Sequence, residues 1–177
     1  MTAPARPLGA VGRAKPSSRD APMLSSGQPR PGRLDVTVTN RQRLLKIDAR
    51  LLKKIARHVL AELGVTGGSL GIVLVNDQVM AKLNAQYHQV EGPTDILTFD
   101  YGGGAGELII SVEHAKSQAR QFRSTPSREL ALYVIHGLLH LRGHDDAAPR
   151  QRRNMRAAEK RLLVSAGKSF PFQKLVH

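Results

Sequence analysis

The chain predicts an α/β (α+β) protein built on a single small mixed β-sheet of about four strands, with five or so helices packed mainly on one side or around it. Three observations predict it. Short segments of alternating or β-branched apolar residues recur four times at strand length. Longer stretches with apolar residues at helical spacing separate and follow them, opened by Asp or Thr and in places closed by Gly. Two of the strands are joined only by a glycine-rich loop, which implies a hairpin, while the others are separated by helices.

In order, residues 1–33 hold six of the ten prolines with Ser, Gly and Arg and lack apolar periodicity, so they are expected to form a disordered basic extension. Poor in acids and containing Arg and Ser, that stretch has organellar targeting as its alternative reading. Leu34–Asn40 alternates with period two and reads as a strand. Asp48 caps a helix to about Leu63, with Leu51, Leu52, Ile55 and Val59 on its inner face and Gly64 as its stop. Ser69–Val75 is a short apolar strand, and Asp77 is expected to cap the helix that carries Val79, Met80, Leu83 and Tyr87. A turn at Gly92–Asp95 leads to the strand Ile96–Tyr101, and Gly102–Gly106 leads to Glu107–Ser111. Val112–Phe122 reads as a helix. Thr125 followed by Pro126 opens the next one, and Pro149 begins a last, basic helix to about Ala166.

With 177 residues this is one domain, residues 34–177, plus the extension. The absence of cysteine excludes disulfides, thiolate nucleophiles and thiolate metal sites, and suits a reducing compartment such as the cytoplasm. No apolar run nears the roughly 20 residues of a membrane helix, so no membrane partner is expected. A net charge of +13 points to a polyanion such as nucleic acid. The extension supplies +5 of that charge and residues 34–177 the other +8. Arg150, Arg152, Arg153, Arg156, Lys160 and Arg161 on the last helix read either as a solvated face or as an RNA-facing stripe.

The chemistry concentrates in residues 136–146. Four residues apart on a helix, His136 and His140 project from one face and can reach one cation. Gly143, three positions on, can end the helix in the left-handed region and turn the chain back. Geometry then favours Asp146 as the third ligand, with His144, one residue past the glycine, as the alternative. Zinc accepts two imidazoles and a carboxylate and keeps a fourth position for water. An isolated pair of histidines at this spacing is more often chance or a satisfied buried pair. The apolar Leu132, Ile135, Leu138, Leu139 and Leu141, the glycine stop and the two carboxylates after it favour metal. Where zinc peptidases of the H-E-x-x-H kind place their glutamate base, this chain has Gly137, which argues against peptide hydrolysis.

Four stretches in order, Leu83–Tyr87 (LNAQY), Pro93–Phe99 (PTDILTF), Gly106–Ser111 (GELIIS) and His136–Asp145 (HGLLHLRGHD), resemble the YbeY family over roughly residues 34–165. The resemblance implies a YbeY-like α/β fold with its metal-binding helix near the C-terminal part, forming a metal-dependent endoribonuclease-like domain. It also implies a single-strand-specific endoribonuclease of ribosomal RNA maturation, such as processing of the 16S rRNA 3′ end, and of ribosome quality control. One zinc per chain is the implied cofactor, and ribosomal RNA and the small ribosomal subunit, with ribosome-associated proteins, the implied partners. This chain departs from the family pattern twice. Asp146 stands where the family has its third histidine ligand, and His88 stands where the family has an arginine thought to act at the phosphate.

The reading assigns His136, His140 and Asp146 to the metal and His136 and His88 to catalysis. It gives phosphate contacts to Arg142 and Arg153 and an outer role beside a ligating imidazole to Asp145. Zinc-activated water, or a 2′-hydroxyl, would attack the phosphodiester. Two alternatives stand beside it: an RNA-binding ribosome assembly factor with a mainly structural zinc, and a zinc peptidase.

Overall fold

The structure, a computed structural model, describes residues 32–177 and the two-residue strand Arg13–Ala14. The rest of the extension expected over residues 1–33 lies outside the described residues, apart from Gly32 and Arg33. The elements run β1 (Arg13–Ala14), β2 (Leu34–Asn40), α1 (Ala49–Glu62), β3 (Gly68–Val75), α2 (Asp77–His88), β4 (Ile96–Gly102), β5 (Ala105–Ser111), α3 (Val112–Gln121), α4 (Pro126–Leu141), α5 (Pro149–Ser169) and a 3-10 turn (Phe172–Lys174).

The sheet is mixed, in the order β1-β4-β5-β3-β2, with β2, β3 and β5 parallel and β4 antiparallel to β5. Four strands carry it, as expected, and β1 adds a short parallel edge to β4. The expected hairpin is β4–β5, paired from Ile96 with Ile110 to Gly102 with Ala105.

Alternation along the strands gives the sheet two apolar faces. Ile72, Leu74, Ile96, Leu108 and Ile110 belong to the larger core, which α1, α4 and α5 cover with Leu52, Ile55, Val134, Leu138 and Leu162. Val73, Leu97, Phe99 and Ile109 face the other way and meet Met80 of α2 in a smaller core. The central strands are therefore buried on both sides, which is why Ile72–Val75 reads as a continuous apolar run.

Local chemistry sets the helix starts. Asp48 accepts the Leu51 N–H at 2.9 Å, and Thr125 accepts the Arg128 N–H at 3.2 Å ahead of Pro126. At α2 the expectation is off by one residue. Asn76, not Asp77, is the cap, accepting the Val79 N–H at 2.9 Å, and Asp77 is the first helical residue. Helix α5 runs to Ser169, past the expected Ala166, and the chain end returns to pair Val176 with Ile47.

Helix α4 lies close on the sheet because position 137 is a glycine. A Cβ there would stand 2.6 Å from Leu108 Cδ2 and 2.7 Å from Ile96 Cδ1.

Candidate metal centre

Burying two imidazoles in an apolar helix needs partners for their ring nitrogens. His136 and His140 are 1% and 2% exposed on α4, and each is supplied with partners. His136 Nδ1 lies 2.6 Å from Glu159 Oε1, a buried carboxylate on α5. With that nitrogen donating to the carboxylate, the Nε2 lone pair of His136 faces outward, 3.1 Å from His140 Nε2. His140 Nε2 in turn lies 3.9 Å from Asp146 Oδ1.

The turn that delivers Asp146 follows from Gly143, whose φ is +89°. Gly143 N–H donates to His140 O and His144 N–H to Leu139 O, both at 3.0 Å, closing the end of α4. Asp145 then accepts the Asp146 N–H at 2.7 Å and the Ala147 N–H at 3.2 Å, which fixes the loop.

One ligating atom each from His136, His140 and Asp146 lies within 4.8 Å of the others. Ligand atoms about 2.0–2.1 Å from a tetrahedral zinc ion would stand about 3.4 Å apart, close to the 3.1 and 3.9 Å found. Protonation states fit too. Burial, and secondly His136, push His140 down to about 4 against the opposing pull of Asp146 and Asp145, so its ring is a neutral donor near pH 7. Two unprotonated ring nitrogens aimed at each other across 3.1 Å repel unless a proton or a cation lies between them. The donor set and its geometry suit a divalent metal with nitrogen and oxygen ligands.

The structure sorts the expected residues. It gathers His136, His140 and Asp146 and leaves the half-buried His144 ring outside the cluster. The His144 backbone makes a hydrogen bond that supports His140. Asp145, expected beside a ligating imidazole, holds backbone N–H groups with its carboxylate and lies close enough to His140 to pull on its charge, while the hydrogen-bond partner of His136 is Glu159. Sequence reading passed over Glu159, although one signal was present. It is the single acid on a strongly basic helix and falls on the apolar face with Met155, Leu162 and Ala166.

His88 is the last residue of α2, a helix whose Met80, Leu83 and Tyr87 pack in the smaller core on the sheet face away from α4. Its Nε2 is buried without a hydrogen-bond partner among the described residues, and burial lowers its pKa, so the ring is neutral near pH 7. Arg142 is the exposed C-cap of α4, and Arg153 is exposed on α5.

The model of the family described as Endoribonuclease YbeY matches residues 37–167. The chain belongs to the YbeY family. Relatives named Endoribonuclease YbeY from Myxococcus xanthus, Heliobacterium modesticaldum and Carboxydothermus hydrogenoformans are 38%, 33% and 34% identical to it. The alignments cover 67%, 66% and 73% of this chain. They cover 44% of the first relative, so the chain spans less than half of its length, and 82% and 96% of the other two. A solution structure from Thermotoga maritima shares the fold, with a TM-score of 0.57 at 23% identity over 76% of this chain and 90% of that one. Within the YbeY frame, the two departures fall on different elements: Asp146 is in the cluster and His88 is the last residue of α2. Among the described residues no helix is long and apolar enough to cross a membrane.

Proposed function

We propose that this YbeY-family chain is a zinc-dependent, single-strand-specific endoribonuclease of ribosomal RNA maturation, acting in the cytoplasm on RNA of the small ribosomal subunit. The observation that carries this reading is the buried His136–His140–Asp146 cluster, with its first imidazole held by Glu159. Zinc held by these three residues supplies Lewis acidity toward water and the phosphodiester.

The chain's own residues do the rest. Glu159 fixes the His136 tautomer so that Nε2 presents its lone pair. Burial keeps His140 neutral and ready to ligate at physiological pH. Asp146 adds one negative charge, which leaves a net +1 on a divalent site and moderates the acidity of water there. Arg142, exposed next to the cluster in sequence, can neutralise charge that develops on phosphoryl oxygens, and Arg153 can contact a neighbouring phosphate. His88 adds no permanent charge, since burial holds it neutral.

That neutrality favours the second reading, an assembly factor that binds RNA through a site with a mainly structural zinc. Elemental analysis of the wild type beside Asp146→Ala, with cleavage of a single-stranded ribosomal RNA fragment, separates the readings. The expected result is about one zinc per chain in the wild type, and loss of both zinc and at least about 100-fold of the cleavage rate in the variant. A zinc-bearing wild type that leaves RNA intact supports the assembly factor, and cleavage that survives zinc removal sinks the catalytic reading.

A further inference from the structure

Of the +8 carried by residues 34–177, α5 alone supplies +6, from seven basic residues and one acid. The acid is Glu159, which is turned inward and engaged by His136. A solvated helix face ordinarily mixes its signs, because like charges three or four residues apart repel. Here the outer face has one sign only.

A helical advance of about 100° per residue places Arg150, Arg153, Lys160 and Lys168 within a sector of roughly 80°, opposite the buried Met155, Leu162 and Ala166. All four are exposed, and among the described residues no carboxylate pairs with them; Arg161 beside them pairs with Glu62 at 3.0 Å. Between the cations lie Ala157 and Val164, the second 48% exposed, on the floor of an open depression of about 540 Å³. Small side chains there let a chain of phosphates lie close to the helix. The row is about 27 Å long at 1.5 Å per residue. The row runs along the side of α5 turned away from Glu159, whose carboxylate meets His136 of the candidate metal centre.

We propose that the outer face of α5 is an RNA docking surface that holds the sugar-phosphate backbone flanking the reactive position, through Arg150, Arg153, Lys160 and Lys168, without reading bases. This rests on the endoribonuclease reading and specifies where the substrate strand runs. Four cations on phosphates release counterions when RNA binds, so affinity through this face falls steeply with salt. Because α5 carries the phosphate row outside and Glu159 inside, one rigid helix both positions the strand and orients His136.

The test compares the zinc-loaded full chain with Arg150→Gln/Arg153→Gln/Lys160→Gln/Lys168→Gln. Binding of a fluorescent single-stranded RNA of about 20 nucleotides is followed by anisotropy across a potassium chloride series, and cleavage of the same RNA is followed by gel. At about 0.7 per phosphate contact, the slope of log affinity against log salt should drop by roughly 3, with an affinity loss on the order of 100-fold at 0.15 M salt. Zinc and helix content should match the wild type. The doubles Arg150→Gln/Arg153→Gln and Lys160→Gln/Lys168→Gln, each expected to remove about half of that slope, decide the matter if the quadruple variant misfolds.

An unchanged slope and affinity, with the wild type still cutting RNA, overturns the docking surface alone. So does unchanged RNA binding with lost affinity for an acidic ribosomal protein, which would give the face to a protein partner. A zinc-loaded wild type that neither binds nor cuts the RNA overturns the endoribonuclease reading and this surface with it.

Discussion

Two buried polar regions of the molecule, the histidine cluster between α4 and α5 and the Glu107 carboxylate on the other side of the sheet, are held in opposite ways. In the cluster between α4 and α5 the buried ring nitrogens have partners, with Glu159 on His136 at 2.6 Å and His136 against His140 at 3.1 Å. On the side of α2, Glu107 is fully buried on β5. Its Oε2 accepts the Tyr101 hydroxyl at 3.0 Å, while Oε1 has no partner among the described residues, and His88 Nε2 is likewise unpartnered. Burial pushes Glu107 up to about 7, raises Tyr101 and lowers His88, so all three are drawn toward their neutral forms. Desolvation acts on both faces. Partnering decides whether a buried group is held in one tautomer and orientation, fit to ligate a cation, or is merely kept uncharged.

Breaking the partnered side should have the larger effect. Glu159→Ala leaves His136 Nδ1 unpaired in the core and should weaken zinc binding about 10- to 100-fold by titration calorimetry. Glu159→Gln still accepts a hydrogen bond through its carbonyl oxygen and should keep most of the affinity; equal losses in the two variants would show that charge, not orientation, is what Glu159 contributes.

The unpartnered side should show itself in pH dependence. An unfolded chain releases the Glu107 proton near 4.5, while the fold retains it to about 7, so stability falls as pH rises through that window and levels off above it. The slope is at most about 1.4 kcal/mol per pH unit. Glu107→Gln should flatten it, as read from denaturant midpoints between pH 4.5 and 8. A variant with the wild-type slope would place the titration elsewhere.

Smallest of all, His88→Ala should lower RNA cleavage by less than about threefold, since a neutral ring offers the phosphate no fixed charge. A loss of tenfold or more would bring His88 back into the catalytic set.

What could be read from the chain was local. Asp48, Thr125 with Pro126, and the β4–β5 glycine loop act within a few residues of themselves, so their helices and hairpin were legible. The i,i+4 histidines and the Gly143 turn are local as well, which is why the cluster could be anticipated, Asp146 included. Asp77 was mistaken for the α2 cap because Asn76 and Asp77 are both good caps side by side, and only the backbone of the folded chain chooses Asn76. Glu159 is 23 residues from His136, and its partnership exists only once α5 has docked on α4. The division of the apolar residues between two cores on the two sheet faces follows from tertiary packing and not from any one segment.

Gly137 has one more effect. With Leu108 Cδ2 at 2.6 Å and Ile96 Cδ1 at 2.7 Å from the place a first side-chain carbon would take, any larger residue after the first histidine must displace side chains of the sheet. A glutamate at this place would have to push those two terminal methyls aside before it could stand where a zinc peptidase keeps its general base.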